Sequence, residues 1–127
     1  MSILNVSNLV VEYETEQHTI RAVDNIDFDI DSEITLGIVG ESGSGKTTVA
    51  KAILGILDEN GSIAEGEIYF KDRDITELSK SEWNQNLRWQ EISYIPQNAM
   101  AALDPVQKAG NQIIEVIREH TNQSKKE

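Results

Sequence analysis

Eight consecutive residues of this chain have the types and the spacing of a phosphate-binding loop. They are Gly40-Glu41-Ser42-Gly43-Ser44-Gly45-Lys46-Thr47, which matches the form G-x-x-x-x-G-K-[ST]. Glycines let the backbone fold so tightly that successive N–H groups face the oxygens of one phosphate. A helix that begins at the end of such a loop adds its unpaired N–H groups and the positive end of its dipole. The pattern therefore predicts a site for a nucleoside triphosphate.

The side chains of the loop have separate expected roles. Lys46 is expected to reach the β- and γ-phosphates, the Thr47 hydroxyl to ligate Mg²⁺, and Thr48 to contact the α-phosphate. The predicted phosphate-binding set is Gly40, Ser42, Gly43, Ser44, Gly45, Lys46, Thr47 and Thr48. The apolar run 34–39 predicts a buried strand before the loop, and the residues after it predict a helix from about Gly45 to Leu57. The alternative is a glycine-rich turn that contains Lys-Thr by chance. Such a turn would not need a strand before it and a helix after it.

The composition limits the class of protein. The chain has 127 residues, a formal net charge of -11 and no cysteine. Its length suits one domain or part of one. The acidic excess argues against a nucleic-acid or anionic-membrane surface, and a chain without cysteine has neither a disulfide nor a thiolate metal site. Because no basic segment precedes an apolar stretch and no apolar run approaches about 18 residues, a soluble, cytoplasmic chain is expected.

Alternation of apolar and polar residues predicts a hairpin at the start of the chain. One strand is expected over residues 3–13 and a second over residues 20–30, with a polar turn over residues 14–18. In the second strand the apolar residues alternate with acids, which indicates one buried and one solvated face rather than a metal site. Residues 66–70 predict a further strand, and Asp72-Arg73-Asp74 a turn.

The second half of the chain predicts two helices and another strand. Ser79 and Glu82 form a capping box that opens a short helix through about Arg88. Residues 91–95 predict a strand. Asp104-Pro105 predicts the start of a helix, with Asp at the cap and Pro at the first helical position.

Three apolar features of this half have structural interpretations. Trp83 and Trp89 are expected to pack rather than to form a stacking platform. The last predicted helix carries an apolar stripe at helical spacing. Its members are Val106, Ala109, Ile113, Ile114 and Ile117. Residues 121–127 are a polar tail.

Taken together, these residues resemble the N-terminal part of an ABC transporter ATPase of the oligopeptide/dipeptide importer family, in the form of an archaeal-type peptide or sugar relative. Val11-Glu12-Tyr13 with Ala22-Val23-Asp24 resembles the segment whose aromatic side chain stacks on adenine, which implies that role for Tyr13, with a core tyrosine as the alternative. Residues 92–105 resemble the Q-loop and its extension, which implies that Gln97 contacts the Mg²⁺/water site. Asp31-Ser32-Glu33, Asn98-Ala99 and Asp104 depart from the commoner residues of the family.

The resemblance implies an α/β fold, the P-loop NTPase core of an ABC ATPase with an antiparallel β-subdomain, truncated at the start of the helical subdomain. Residues 1–120 would form a partial nucleotide-binding domain and residues 121–127 the tail. ATP and Mg²⁺ are the implied cofactors. The implied partners are a second ATPase subunit and transmembrane permease subunits, with no nucleic acid and no direct membrane insertion, on the inner face of the cell membrane.

Three elements of that family are not found in the sequence: the signature loop, a Walker B strand ending in Asp-Glu, and a switch histidine. Pro105 stands where a catalytic Glu would follow Asp104, and His18 and His120 suit no switch role. No catalytic residue is therefore assigned, and the chain is expected to bind ATP without hydrolysing it, as part of a subunit whose full-length form drives uptake of peptides or sugars. The alternatives are a stand-alone non-hydrolysing nucleotide-binding or regulatory module, and a small P-loop kinase, which would need an Arg-rich lid.

Overall fold

A computed structural model describes residues 1–88 and 90–121, and the chain divides into two compact units, residues 1–83 and 84–127. The first unit contains a four-stranded antiparallel sheet in the order β2-β1-β3-β4. The strands are β1 (Ser2–Glu14), β2 (Thr19–Asp31), β3 (Gly61–Phe70) and β4 (Arg73–Asp74). The predicted hairpin is confirmed as β1 and β2. The turn predicted at residues 72–74 is instead centred on residues 71–72, because Arg73 and Asp74 pair with the end of β3.

The core of this unit is formed by apolar side chains of the sheet, of helix α1 (Lys46–Ile53), of the start of helix α2 (Lys80–Asn86) and of Ile75, which follows β4. Its buried members are Leu4, Val6, Leu9, Val10, Val11, Val23, Val49, Ala52, Ile68, Phe70, Ile75 and Trp83. The acids of β2 lie on the solvated side, as their alternation predicts. Asp27 accepts the backbone N–H of Asn8 at 2.8 Å, and Asp29 accepts the side-chain amide of Asn5 at 3.1 Å.

Helix α1 ends earlier than the sequence predicts. It stops at Ile53 rather than near Leu57, because Gly55 has a φ of 60° and reverses the chain. The N–H of Gly55 donates to the carbonyl of Ala52 at 3.1 Å, and the N–H of Ile56 donates to the carbonyl of Lys51 at 3.0 Å. This pair of bonds is a Schellman motif, which satisfies carbonyls that the helix end would otherwise leave unpaired.

The apolar run 34–39, which predicts a buried strand, and residues 91–95, which predict another strand, form no strand. Val39 is 93% exposed and Ile95 is 84% exposed. A strand buried on both faces needs hydrogen-bonding neighbours at its edges and cover over its faces. In the part of the chain that the structure describes, no strand pairs with either run, and Ile92 makes a single bridge to Arg88. Both strand predictions are therefore wrong for this structure.

The second unit contains the end of α2, a short 3-10 helix (Ala99–Ala102) and helix α3 (Ala109–His120). The predicted helix start at Asp104-Pro105 is wrong, because α3 begins at Ala109 after its N-cap Lys108. Asp104 instead closes a turn, in which its carboxylate accepts the N–H of Val106 at 2.8 Å. The side chain of Gln112 holds this turn against the helix, since its oxygen accepts the N–H of Asp104 at 2.9 Å.

The remaining sequence predictions have mixed outcomes. Helix α2 ends at Asn86 rather than Arg88, and Trp83 is a packing residue that is 2% exposed. Ile113 and Ile117 of the apolar stripe are 58% and 43% exposed. The predictions for Trp89 and for residues 122–127 lie outside the described residues. Over the described ranges, no helix has both the length and the apolar character that a membrane span requires.

Candidate phosphate-binding site

The predicted phosphate loop forms a tight turn that leads into α1. The N–H of Ser44 donates to the carbonyl of Glu41 at 3.2 Å, which folds the loop back on itself. Gly43 and Gly45 have φ values of 81° and 92°, in the left-handed region where a side chain is strained. A Cβ on Gly45 would also lie 2.5 Å from the carbonyl oxygen of Ala22. Glycine is therefore required at position 45 by the backbone angle and by the close approach of β2.

The ammonium group of Lys46 lies over the loop. Its Nζ donates to the carbonyls of Gly40 and Glu41 at 2.7 and 2.6 Å and to the hydroxyl of Ser44 at 3.1 Å. These bonds orient the positive charge toward the residues that form the loop. The positive charge of Lys46 thus lies beside the tightly curved backbone of the loop, and a bound phosphate group would require both.

The N-terminus of α1 is open to an anion. Its N-cap, Gly45, makes no side-chain capping bond, and the first turn contains no acidic residue. The first N–H groups of a helix have no partner within the helix, and the dipole makes this end positive. Thr47 is exposed and Thr48 half-buried in the same turn. These groups fit the phosphates of a nucleotide, with the exposed Thr47 hydroxyl as the ligand that Mg²⁺ chemistry would use there.

The sheet places Tyr13 on the same face as this loop. A Cβ on Gly45 would lie 3.6 Å from Cγ2 of Val23, and Val23 pairs directly with Val11 across β2 and β1. Val11 and Tyr13 are two residues apart in a regular stretch of the ladder with β3, so their side chains share one face. Two residues of a strand span about 7 Å. The Tyr13 side chain therefore occupies the next same-face position along β1 after Val11, whose partner Val23 lies against Gly45 of the phosphate loop.

The acidic residues nearest to Tyr13 in sequence lie on the opposite face of the sheet. Glu12 and its β2 partner Arg21 form a salt bridge of 3.0 Å, and Arg21 also bonds Asp24 at 3.0 Å. The hydrogen bonds that Arg21 donates to the carboxylates of Asp24 and Glu12 raise the pKa of Arg21 above its ordinary value. Glu12 and Asp24 are thus both paired with the same cation, Arg21.

Sequence reasoning missed one neighbour of Tyr13. Gly61 lies directly opposite Tyr13 in β3, and a Cβ there would come within 2.6 Å of the tyrosine ring. The available signal was the Asn60-Gly61 dipeptide, which is typical of a turn beside a strand. The pairing of Gly61 with Tyr13 depends on strand register, which only the tertiary structure shows.

Gln97 lies in the second unit and is exposed, at a turn just before the 3-10 helix. The other predicted site residues, including Tyr13 and the whole phosphate loop, lie in the first unit. The assignment of Gln97 and of Thr47 to Mg²⁺ therefore stays a prediction.

Solved structures with this architecture are ATP-binding cassettes. One is the dimeric post-hydrolysis state of a cassette bound to ADP and Pi, with a TM-score of 0.80, 22% identity and coverage of 95% of this chain and 49% of that chain. Another is a nucleotide-free cassette from an ABC transporter, with a TM-score of 0.54, 32% identity and coverage of 66% of this chain and 30% of that chain. The fold and the phosphate loop define a P-loop nucleotide-binding domain of the cassette class.

The family follows from sequence comparison. The family model described as "ABC transporter" matches residues 23–127, and the chain belongs to this family. The dipeptide transport ATP-binding protein DppD of Lactococcus lactis is 42% identical over 118 residues, covering 93% of this chain and 34% of the relative. The oligopeptide transport ATP-binding protein OppD of Escherichia coli is 42% identical over 126 residues, covering 99% of this chain and 37% of the relative. The chain thus spans little more than a third of the length of these relatives.

Proposed function

We propose that this chain is the ATP-binding portion of an ABC importer ATPase subunit, and that it binds ATP with Mg²⁺ through the phosphate loop and Tyr13. One observation carries the proposal. The loop, with the Lys46 ammonium over it and the uncapped start of α1 beside it, lies on the same face of the sheet as the aromatic ring. This arrangement supports simultaneous binding of a triphosphate and a base.

In this proposal, each group of the site makes its own contribution. Lys46 exchanges bonds to loop carbonyls for bonds to phosphate oxygens, and the first N–H groups of α1 donate to the phosphates. Bound Mg²⁺ would neutralise part of the phosphate charge, with the Thr47 hydroxyl among its ligands. Tyr13 stacks on the base through its flat π face.

The transported solute and the partners are proposed from the named relatives. DppD and OppD are named as dipeptide and oligopeptide transport proteins, which supports a peptide rather than a sugar as the solute. The proposed partners of the full subunit are a second ATPase subunit and transmembrane permease subunits, with assembly on the inner face of the cell membrane.

Calorimetric titration with MgATP tests the binding site. Lys46→Ala is expected to weaken binding by about tenfold to a hundredfold, because a hydrogen bond to a charged group contributes about 1.5–3 kcal/mol. Lys80→Ala is the matched control, since it removes the same charge from an exposed residue at the start of α2. Its affinity for MgATP should equal that of the unmodified chain.

Two results would contradict the proposal. Equal affinity of the Lys46→Ala variant and the unmodified chain would exclude the loop as the phosphate site. Equal losses in Lys46→Ala and Lys80→Ala would show that net charge, rather than the loop, governs binding.

A further inference from the structure

The ring of Tyr13 lies on the backbone of Gly61. The two residues are directly paired across β1 and β3, so their side-chain positions point to the same face of the sheet. A Cβ on Gly61 would lie 2.6 Å from Cε1, 3.0 Å from Cδ1 and 3.2 Å from Cζ of Tyr13. Real Cβ atoms essentially never come within 3.0 Å of such an atom, and the other two distances are tighter than most real contacts. The ring therefore occupies the space that a side chain at position 61 would need.

These three distances also give the direction of the approach. A Cβ at the edge of the ring would be much farther from the two neighbouring carbons than from the nearest one. The three values are instead similar, which places the Cβ position above the face of the ring. One face of Tyr13 therefore covers Gly61, as aromatic side chains do when they shield a glycine in a neighbouring strand. Tyr13 as a whole is half-buried, so part of the residue remains accessible to solvent.

Asn60 holds Gly61 at this position. The N–H of Glu14 donates to the carbonyl of Asn60 at 2.8 Å, and the side-chain amide of Asn60 donates to the carbonyl of Glu14 at 2.9 Å. The N–H of Gly61 donates to the carbonyl of Asp58 at 2.8 Å. The two Glu14–Asn60 bonds thus fix the end of β1 to the start of β3 next to the Tyr13–Gly61 pair, and the Gly61–Asp58 bond closes the turn.

We propose that Gly61 is a positioning residue for nucleotide recognition. Its missing side chain lets the Tyr13 ring lie flat along the sheet, on the face that also carries the phosphate loop, so that the outer face of the ring meets the base. A side chain at position 61 would push the ring away from the sheet and into the place of the base. The inference rests on the proposed binding of ATP. Gly61 itself would not contact the nucleotide and would act only through the position of the Tyr13 ring.

A double-mutant cycle with MgATP titrations tests this role. Gly61→Ala is expected to weaken binding about three- to tenfold, a part of the stacking contribution of an aromatic ring. In a Tyr13→Ala background the same change should have no effect, because no ring remains to be displaced. Gly61 lies outside the left-handed region, so alanine fits its backbone angles. Gly110→Ala is the control, since a Cβ there meets nothing within 4 Å.

Asn60→Ala provides a second variant that adds no volume. It removes the side-chain bond to Glu14 and should cause a smaller loss that also disappears in the Tyr13→Ala background. Losses from Gly61→Ala that are equal in both backgrounds, or no loss in either, would overturn the positioning role. If Lys46→Ala still weakens binding in that case, the proposed ATP site survives and only this inference fails.

Discussion

At the scale of single residues, short-range hydrogen bonds decide most of the local geometry. The predicted capping box is present in full. The N–H and hydroxyl of Ser79 donate to the carboxylate of Glu82 at 2.9 and 2.7 Å, and the N–H of Glu82 donates to Ser79 Oγ at 3.3 Å. The hydroxyl and backbone bonds from Ser79 hold the pKa of Glu82 below its ordinary value. Such contacts join residues three apart, so the sequence alone predicts them.

The capping box makes part of the stability dependent on pH. Because the folded pKa of Glu82 is below its unfolded value, its contribution is complete above the ordinary pKa of about 4.3 and is lost as pH falls through the folded pKa. The difference in unfolding free energy between the unmodified chain and Ser79→Ala should therefore be larger at neutral pH than at acid pH. Urea denaturation followed by circular dichroism measures it. Hydrogen bonds from Thr76 also lower the pKa of Asp74, but Asp74 is present in both proteins, so its contribution cancels in the difference. A difference independent of pH would contradict the prediction.

At the scale of elements, α1 and α2 meet through a glycine and an indole. A Cβ on Gly55, in the turn that ends α1, would lie 2.6 Å from Cε2 and 2.8 Å from Cδ1 of Trp83. Trp83 is 2% exposed. The left-handed Gly55 that stops α1 thus also leaves the space that the Trp83 indole fills within the first unit. The sequence predicts the helices and a packing tryptophan, but not that Trp83 packs on Gly55, because that contact joins residues far apart along the chain.

Loss of this contact should be costly. Trp83→Ala is expected to lower the free energy of unfolding by about 3–5 kcal/mol, the usual range for removal of a buried Trp side chain. Ile113→Ala is the control, since Ile113 is 58% exposed and its truncation should cost about 0.5 kcal/mol or less. Urea denaturation gives both values. A similar small loss for both variants would show that Trp83 does not contribute to the core of the first unit.

At the scale of the whole molecule, the chain separates into two compact units, and the first contains the phosphate loop and Tyr13. Phosphoryl transfer to water requires an oriented nucleophile as well as bound phosphates. The printed sequence has no apolar strand that ends in Asp-Glu and no signature loop. The polypeptide of residues 1–127 is therefore expected to bind ATP without hydrolysing it.

A phosphate-release assay tests this separation. The polypeptide of residues 1–127 at saturating MgATP should release phosphate no faster than its Lys46→Ala variant or buffer. The same preparation should bind MgATP in calorimetry, which shows that the assay uses a competent protein. Phosphate release that depends on Lys46 would contradict the prediction and would require a water-orienting residue among the 127.

The sequence by itself determined the features that depend on neighbours along the chain. These are the phosphate loop, the first hairpin and the capping box, whose contacts join nearby residues or the two arms of one turn. The resemblance built on them also led to the ABC transporter family to which the chain belongs. The structure decided what depends on distant partners. It showed that residues 34–39 and 91–95 form no strand among the described residues, because alternation and apolar runs do not supply the neighbours that a strand requires. It also brought Gly61 beneath Tyr13, since strand register joins residues that are 48 positions apart, 61 minus 13, and no local pattern encodes that pairing.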